Sequence, residues 1–266
     1  VGQTQVSLPD LDDPYTEDNR YRARFPQRRV TGQRTHASEL RQARIESSDR
    51  QSIVRPPEPA PAFLHWTALM PSSTPSPATR CQRLKAASHR DHDSVDTLVM
   101  AARPFADRER YGRFLQVQHR FHGSLLGLYH DAQLNDWLPG LQELSRFAAL
   151  EGDFQDLALP LPATPAPVQV EAAQALGWLY CSEGSNLGAA FLFKQTQQLA
   201  LDASFGARHL AAHPHGRALH WRAFVEQVDG LALQREEEAQ AVAGAIAAFD
   251  HYRSHLRAVF GEECNG

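Results

Sequence analysis

The chain has 266 residues, 42% hydrophobic and 22% charged, which is enough for one globular domain with residues to spare. A formal charge of -4 gives no global argument for nucleic acid or for an acidic membrane surface. Cys81, Cys181 and Cys264 form no CxxC pair and no zinc-type spacing, so no disulfide framework is expected. No apolar run approaches the ~18 residues of a spanning helix, and the polar N-terminus lacks a basic-then-apolar leader pattern, so the cytoplasm is the expected compartment.

Residues 1–79 hold ten of the 17 prolines, with stretches such as RPPEPAPA and PSSTPSPAT, and mix arginine with acidic residues without apolar periodicity. This composition predicts a disordered, Pro/Arg-rich extension. Met70 and Met100 are the only methionines, and a natural start near Met70 is expected. A helical domain is expected over 80–261, followed by a short tail, 262–266.

From Arg83 onward the pattern is helical. Leu84, Ser88, Val95, Val99 and Ala102 follow a 3.6 period, as do Tyr111, Phe114, Leu115, Gln118, Phe121, His122, Leu125 and Tyr129 in the next segment. Pro104 marks the break between these two amphipathic helices. Residues 134–150 predict one or two shorter helices around Pro139, and LPLPATPAP (159–167) a proline-rich connector. A long helix is expected over about 168–200. GARHLAAHPHGRALHW then reads as a loop, leading to helices near 219–230 and 234–260. No run alternates as a strand, so the fold class is all-α, a compact bundle whose long helices can hold a cofactor between them.

The long helix carries GWLYCSEGSNLGAAFLF (177–193), and each glycine in a helix interior costs roughly 1 kcal/mol relative to alanine. Ala173, Gly177, Tyr180, Cys181, Gly184, Gly188 and Phe191 share one face, so the glycines form a bare stripe. Either another helix packs closely there or a flat ligand rests on the backbone. On the first helix, SHRDHDSVDTLVM puts His92 on the apolar face with Val95 and Val99. A neutral imidazole there serves as a locally bonded core residue or as an axial ligand to haem iron.

LKAASHRDHDSVDTLVM, FLQVQHRFH, GWLYCSEGSNLGAAFLFK and GARHLAAHPHGRALHWRAFVEQ, in that order, together resemble the bacterial biliverdin-producing haem oxygenases. The resemblance covers about residues 83–260. It implies haem held between a proximal helix, with His92 as the single iron ligand, and a distal helix around 182–191. There Gly184 and Gly188 would let the backbone lie over the haem, with Ser185 and Asn186 between them. His89, one turn upstream, does not match the ligand position. Bare backbone suits this chemistry, because oxygen must be turned onto the edge of the porphyrin itself and a bulky distal side chain would obstruct it.

Gln118 and His122, one turn apart, match a distal polar pair that would order water for proton delivery; otherwise they are polar groups on a bundle face. Lys85, one of only two lysines, lies seven residues before His92 and on the same helix face, within reach of a haem propionate. Tyr252 matches a position that can donate to a propionate, and Tyr180 faces the same distal region. Relatives with Lys and Tyr at such places favour cleavage at the α-meso carbon; an exposed lysine on a solvated face is the competing reading.

His209, His213, His215 and His220 invite a metal reading, but they lie in a turn-rich loop without cysteines, and a structural or surface role is expected. Paired helical Glu-x-x-His motifs of a di-iron bundle are absent from the sequence. The resemblance therefore implies an O2-dependent enzyme acting as a monomer, with haem as both cofactor and substrate. It needs electrons from a partner such as ferredoxin or a flavin/NADPH reductase, since no GxGxxG fingerprint is present. A non-catalytic haem carrier or sensor is the alternative.

Overall fold

In the computed structural model, residues 78–261 are described; the expected extension up to residue 77, the start near Met70 and the tail 262–266 lie outside the described residues. Among the described residues eight α-helices run in order: α1 (Arg80–Ala102), α2 (Arg108–Ser124), α3 (Leu126–Tyr129), α4 (Ala132–Trp137), α5 (Phe147–Asp156), α6 (Ala172–Thr196), α7 (Arg217–Gly230) and α8 (Arg235–Phe260). Short 3-10 turns lie at Leu141–Leu144, Gln197–Leu199 and Arg208–Leu210. Among the described residues the only β pairing is isolated bridges at Asp202, so the all-α expectation stands. No described helix is long and apolar enough to cross a membrane.

Local chemistry fixes the helix ends. Thr79 caps α1 by accepting from the Gln82 amide, while the Gln82 side chain returns the bond to the Thr79 N–H. α1 stops where Arg103 turns left-handed (φ 44°) ahead of Pro104. Asp107 caps α2 through the Arg110 amide. Glu237 accepts from the Gln234 N–H at the start of α8, and three glutamates in that first turn suit the positive end of the helix dipole.

α2 ends at Ser124, although its apolar period continues to Tyr129. The Ser124 carbonyl accepts from Val168 N–H (2.9 Å) in the connector, so Leu128 N–H turns to Leu125 instead. The connector runs tight against this corner: a Cβ on Gly123 would lie 2.6 Å from Pro165 Cδ. It stays non-helical up to Glu171, and α6 accordingly begins at Ala172, later than the expected 168. The Val168 N–H is committed to the Ser124 carbonyl of α2, which holds the segment before Ala172 on that corner.

α8 is the hub, packing on α1, α2 and α6. Its AVAGAIAA segment buries Ala241, Gly244, Ala245 and Ala248, and α6 crosses there. A Cβ on Gly177 would lie 2.0 Å from the Ala241 carbonyl oxygen and 2.3 Å from Ala245 N; one on Gly244 would lie 2.0 Å from the Gln174 carbonyl oxygen. Both positions require glycine, because the contact is backbone to backbone. One apolar cluster surrounds this crossing, including Leu84, Phe121, Leu176, Trp178, Leu179, Trp221 and Phe224. A second unites the C-terminal end of α1 with α2, α5 and the end of α8 through Phe105, Tyr111, Phe114, Phe154, Leu256 and Phe260. The buried Arg80 guanidinium clamps α1 to its neighbours, donating to the carbonyls of Val228 and Leu231 and to the Glu238 carboxylate.

Candidate functional site

α1 carries two histidines with an acidic residue four positions on. His92 Nδ1 lies 3.3 Å from Asp96 Oδ2, and His89 Nε2 lies 3.5 Å from Asp93 Oδ2. Their surroundings separate them: the His92 side chain is 40% exposed and its ring meets the edge of Phe249 on α8 (5.7 Å), whereas His89 is 58% exposed. Arg253 on α8 donates to the Asp91 carbonyl and carboxylate (3.2 and 2.8 Å), fixing α8 against α1 one residue from His92. An imidazole whose Nδ1 faces a carboxylate is oriented to present Nε2 to a metal and made more basic there. Lys85 is half-buried on the same helix.

The glycines of α6 divide in two. Gly177 is consumed by the α8 crossing, whereas a Cβ on Gly184 would meet only the Trp221 ring at 3.4 Å, an ordinary contact. No neighbouring backbone therefore explains the missing side chain at Gly184. Gly188 is partly exposed. Ser185 is exposed, and its hydroxyl donates back to the Ser182 carbonyl (2.7 Å). Tyr180 sits half-buried with its ring 5.5 Å from that of Trp221.

Gln118 and Tyr252 are brought together from α2 and α8: Gln118 Nε2 donates to the Tyr252 hydroxyl at 2.7 Å. Burial pushes the Tyr252 phenol well up, so it stays protonated. As acceptor from Gln118, the hydroxyl keeps its own proton to give. His122 is buried one turn beyond Gln118, and burial, then the nearby His209 and Arg146, pull it down to about 3.

Behind α6 lies a buried polar layer that spacing did not reveal. Glu183, 1% exposed, accepts from Tyr129 OH (2.6 Å) and from Asn186 Nδ2 (3.1 Å), and its Oε2 is 2.8 Å from His220 Nε2. Tyr129 OH also meets Ser182 Oγ at 2.7 Å. Asn186, expected to face the reacting centre, thus turns its amide toward Glu183, while its carbonyl accepts from Arg217 (2.7 Å). Nearby, the buried Asp153 carboxylate accepts the Arg208 and His209 amides and lies 2.7 Å from His209 Nδ1. Arg146 ties the layer to the loop through the carbonyls of His209 and Ala211.

The signal for Glu183 was present, since a lone carboxylate in an otherwise apolar helix must find partners. Two of those partners, His220 and Tyr129, sit on other helices, 37 and 54 residues away. His209 and His220 of the loop cluster are accordingly buried carboxylate partners, with His213 stacked on His220 at 4.6 Å. Among the described residues no three His, Cys, Asp or Glu side chains converge as a metal cage.

Buried histidines make stability depend on pH. His122, His209, His251 and His255 all have folded-state pKa values below the ordinary 6.5, each chiefly through burial. Below pH 6.5 the unfolded chain binds protons that the folded chain refuses, so stability falls as pH falls, for His122 down to about 3. Urea titrations at pH 7 and pH 5 should show a lower unfolding free energy at pH 5, with a smaller drop in His122→Leu. An equal drop in the variant would contradict the assignment.

A surface cavity of about 570 Å³, lined by Leu126, His130, Asn135, Glu143 and Phe147 among others, contains none of the expected site residues.

Residues 78–258 match the heme oxygenase family model. The chain is 42% identical over 184 residues to the heme oxygenase PigA of Pseudomonas aeruginosa, spanning 68% of this chain and 93% of that protein. It is 31% identical over 151 residues to a heme oxygenase of Xanthomonas campestris pv. campestris, covering 54% and 89%. Among solved structures, the NO- and CO-bound heme oxygenase of Neisseria meningitidis aligns with a TM-score of 0.63 at 47% identity, covering 69% of this chain and 92% of that one. Heme oxygenase 2 of Chlamydomonas reinhardtii, at 19% identity, shares the fold (TM-score 0.56; 68% and 98% covered). The chain thus belongs to the haem oxygenase family of haem-degrading oxidoreductases.

Proposed function

We propose that the chain cleaves haem to biliverdin, carbon monoxide and ferrous iron, with O2 as co-substrate and electrons from an external donor such as a ferredoxin or a flavin/NADPH reductase. The observation that carries the residue assignment is the His92–Asp96 pair on a partly open face of α1, the arrangement that orients an iron-ligating imidazole. Haem supplies the redox chemistry when bound; the protein supplies orientation and a defined proton inventory.

In this reading His92 would hold the iron, with Asp96 and Phe249 fixing its ring. Gly184 and Gly188 leave α6 without side chains where the macrocycle would lie, and Ser185 offers a hydroxyl beside them. Gln118 positions Tyr252, whose retained O–H can donate a hydrogen bond to a propionate carboxylate. Buried and neutral, His122 can accept a hydrogen bond from water without adding a strong acid to the site. Asn186 acts through its bond to Glu183, holding the turn of α6 that carries Gly184. We assign the reaction to the cytoplasm, a reading supported by the buried free thiols of Cys81 and Cys181, and to a chain acting as a monomer.

Titration of the purified protein with hemin should give a Soret band saturating at one haem per chain; no saturable band would refute the site. Lys85 and Tyr180 are assigned to orienting the bound haem. Lys85→Ala is therefore expected to shift the product from one biliverdin isomer to a mixture, read by chromatography, with little change in overall stability. An unchanged isomer pattern would remove Lys85 from that role.

A further inference from the structure

One histidine pair lies outside the proposed haem site and the buried polar layer behind α6. His251 and His255, one turn apart on α8, bring their Nε2 atoms to 3.0 Å from each other, and the Ser124 hydroxyl of α2 lies 3.0 Å from His251 Nε2. Two ring nitrogens bound to one ion at about 2.0–2.1 Å subtend an angle of about 91–97° when they are that far apart, near the right angle of an octahedral site and narrower than a tetrahedral one. Both side chains are half-buried, with the His251 ring held between the edges of Trp178 (5.4 Å) and His255 (4.3 Å). Burial also keeps both imidazoles neutral, the form that ligates.

We propose that His251 and His255, with Ser124 Oγ as a neighbouring oxygen, form a chelating site for a divalent first-row transition-metal ion, separate from the haem site. Imidazole donors suit zinc, nickel, copper and iron, and exclude the hard, oxygen-seeking calcium and magnesium. Two protein nitrogens leave the remaining coordination positions to solvent. The ion would tie α8 to the C-terminal end of α2, where α2 is interrupted. Arg120 on α2 lies close enough to lower His255's proton affinity, and it opposes a cation for the same reason. Its removal should therefore tighten the site.

The test uses untagged, haem-free protein titrated separately with Zn2+ and Ni2+ by calorimetry, with thermal unfolding as a second readout. One ion per chain and a raised Tm are expected. His255→Gln and His251→Gln should each weaken binding at least about tenfold, since loss of even a supporting partner of a ligand costs that much. Arg120→Gln should strengthen it. Circular dichroism identifies any variant that has lost its fold, and the half-exposed His255 is the safer position to read. Binding unchanged in both histidine variants would overturn the proposal. So would binding lost only in His92→Ala, which would assign the ion to α1, and so would Mg2+ competing as well as Zn2+.

Discussion

A His92→Ala chain is expected to remain folded and to lose its haem. The side chain is partly exposed, beside the Asp96 carboxylate and the Phe249 ring, so its removal opens no sealed core. Haem affinity should fall by more than the ten- to hundredfold typical of losing a partner one shell out from a metal. The Soret and charge-transfer bands should lose their imidazole-ligated form, and added imidazole should restore them in part. Asp96→Ala should be milder, about ten- to hundredfold in affinity, because the ligand survives and only its orientation suffers. The same loss from His89→Ala, with His92→Ala unaffected, would move the ligand one turn upstream.

The largest effect on stability is expected at Gly177. A methyl group there would sit 2.0 Å from the Ala241 carbonyl oxygen and 2.3 Å from the Ala245 amide nitrogen, atoms that belong to a helix and cannot swing aside. α6 and α8 would have to separate along the most extensive helix contact among the described residues. Overpacking of this kind costs about 3 kcal/mol or more, beyond the ~1 kcal/mol that alanine gains over glycine in helix propensity. Gly184→Ala is the matched control: its methyl would meet the Trp221 ring at 3.4 Å, so stability should change by no more than about 1 kcal/mol. Urea unfolding of the two variants separates them, and equal losses would mean that the crossing is not where it is described.

That contrast also answers what the bare stripe in GWLYCSEGSNLGAAFLF could not settle alone. Spacing puts Gly177, Gly184 and Gly188 on one face, but it cannot say what touches them. The backbone of α8 does at Gly177 and does not at Gly184. The all-α class and the long helices were legible because amphipathic period and end signals such as Thr79, Asp107 and Pro104 are local. The break of α2 at Ser124 was not, because its cause is an amide 44 residues away in the connector. The site was legible in the same uneven way. The His92–Asp96 pair lies within one turn, whereas Gln118 meets Tyr252 across 134 residues and Glu183 meets His220 across 37. Side chains assigned singly to water or propionate thus proved to be partners of each other.

The most direct test of the whole account is a single turnover experiment. Hemin is added to the purified chain, followed by ferredoxin, its reductase and NADPH in air, and the visible spectrum is followed. The Soret band is expected to form on hemin addition and then to decay as biliverdin absorption rises, with carbon monoxide released in equal amount. A Soret band that forms and persists under full reduction, with no bilin produced, would contradict the proposed activity.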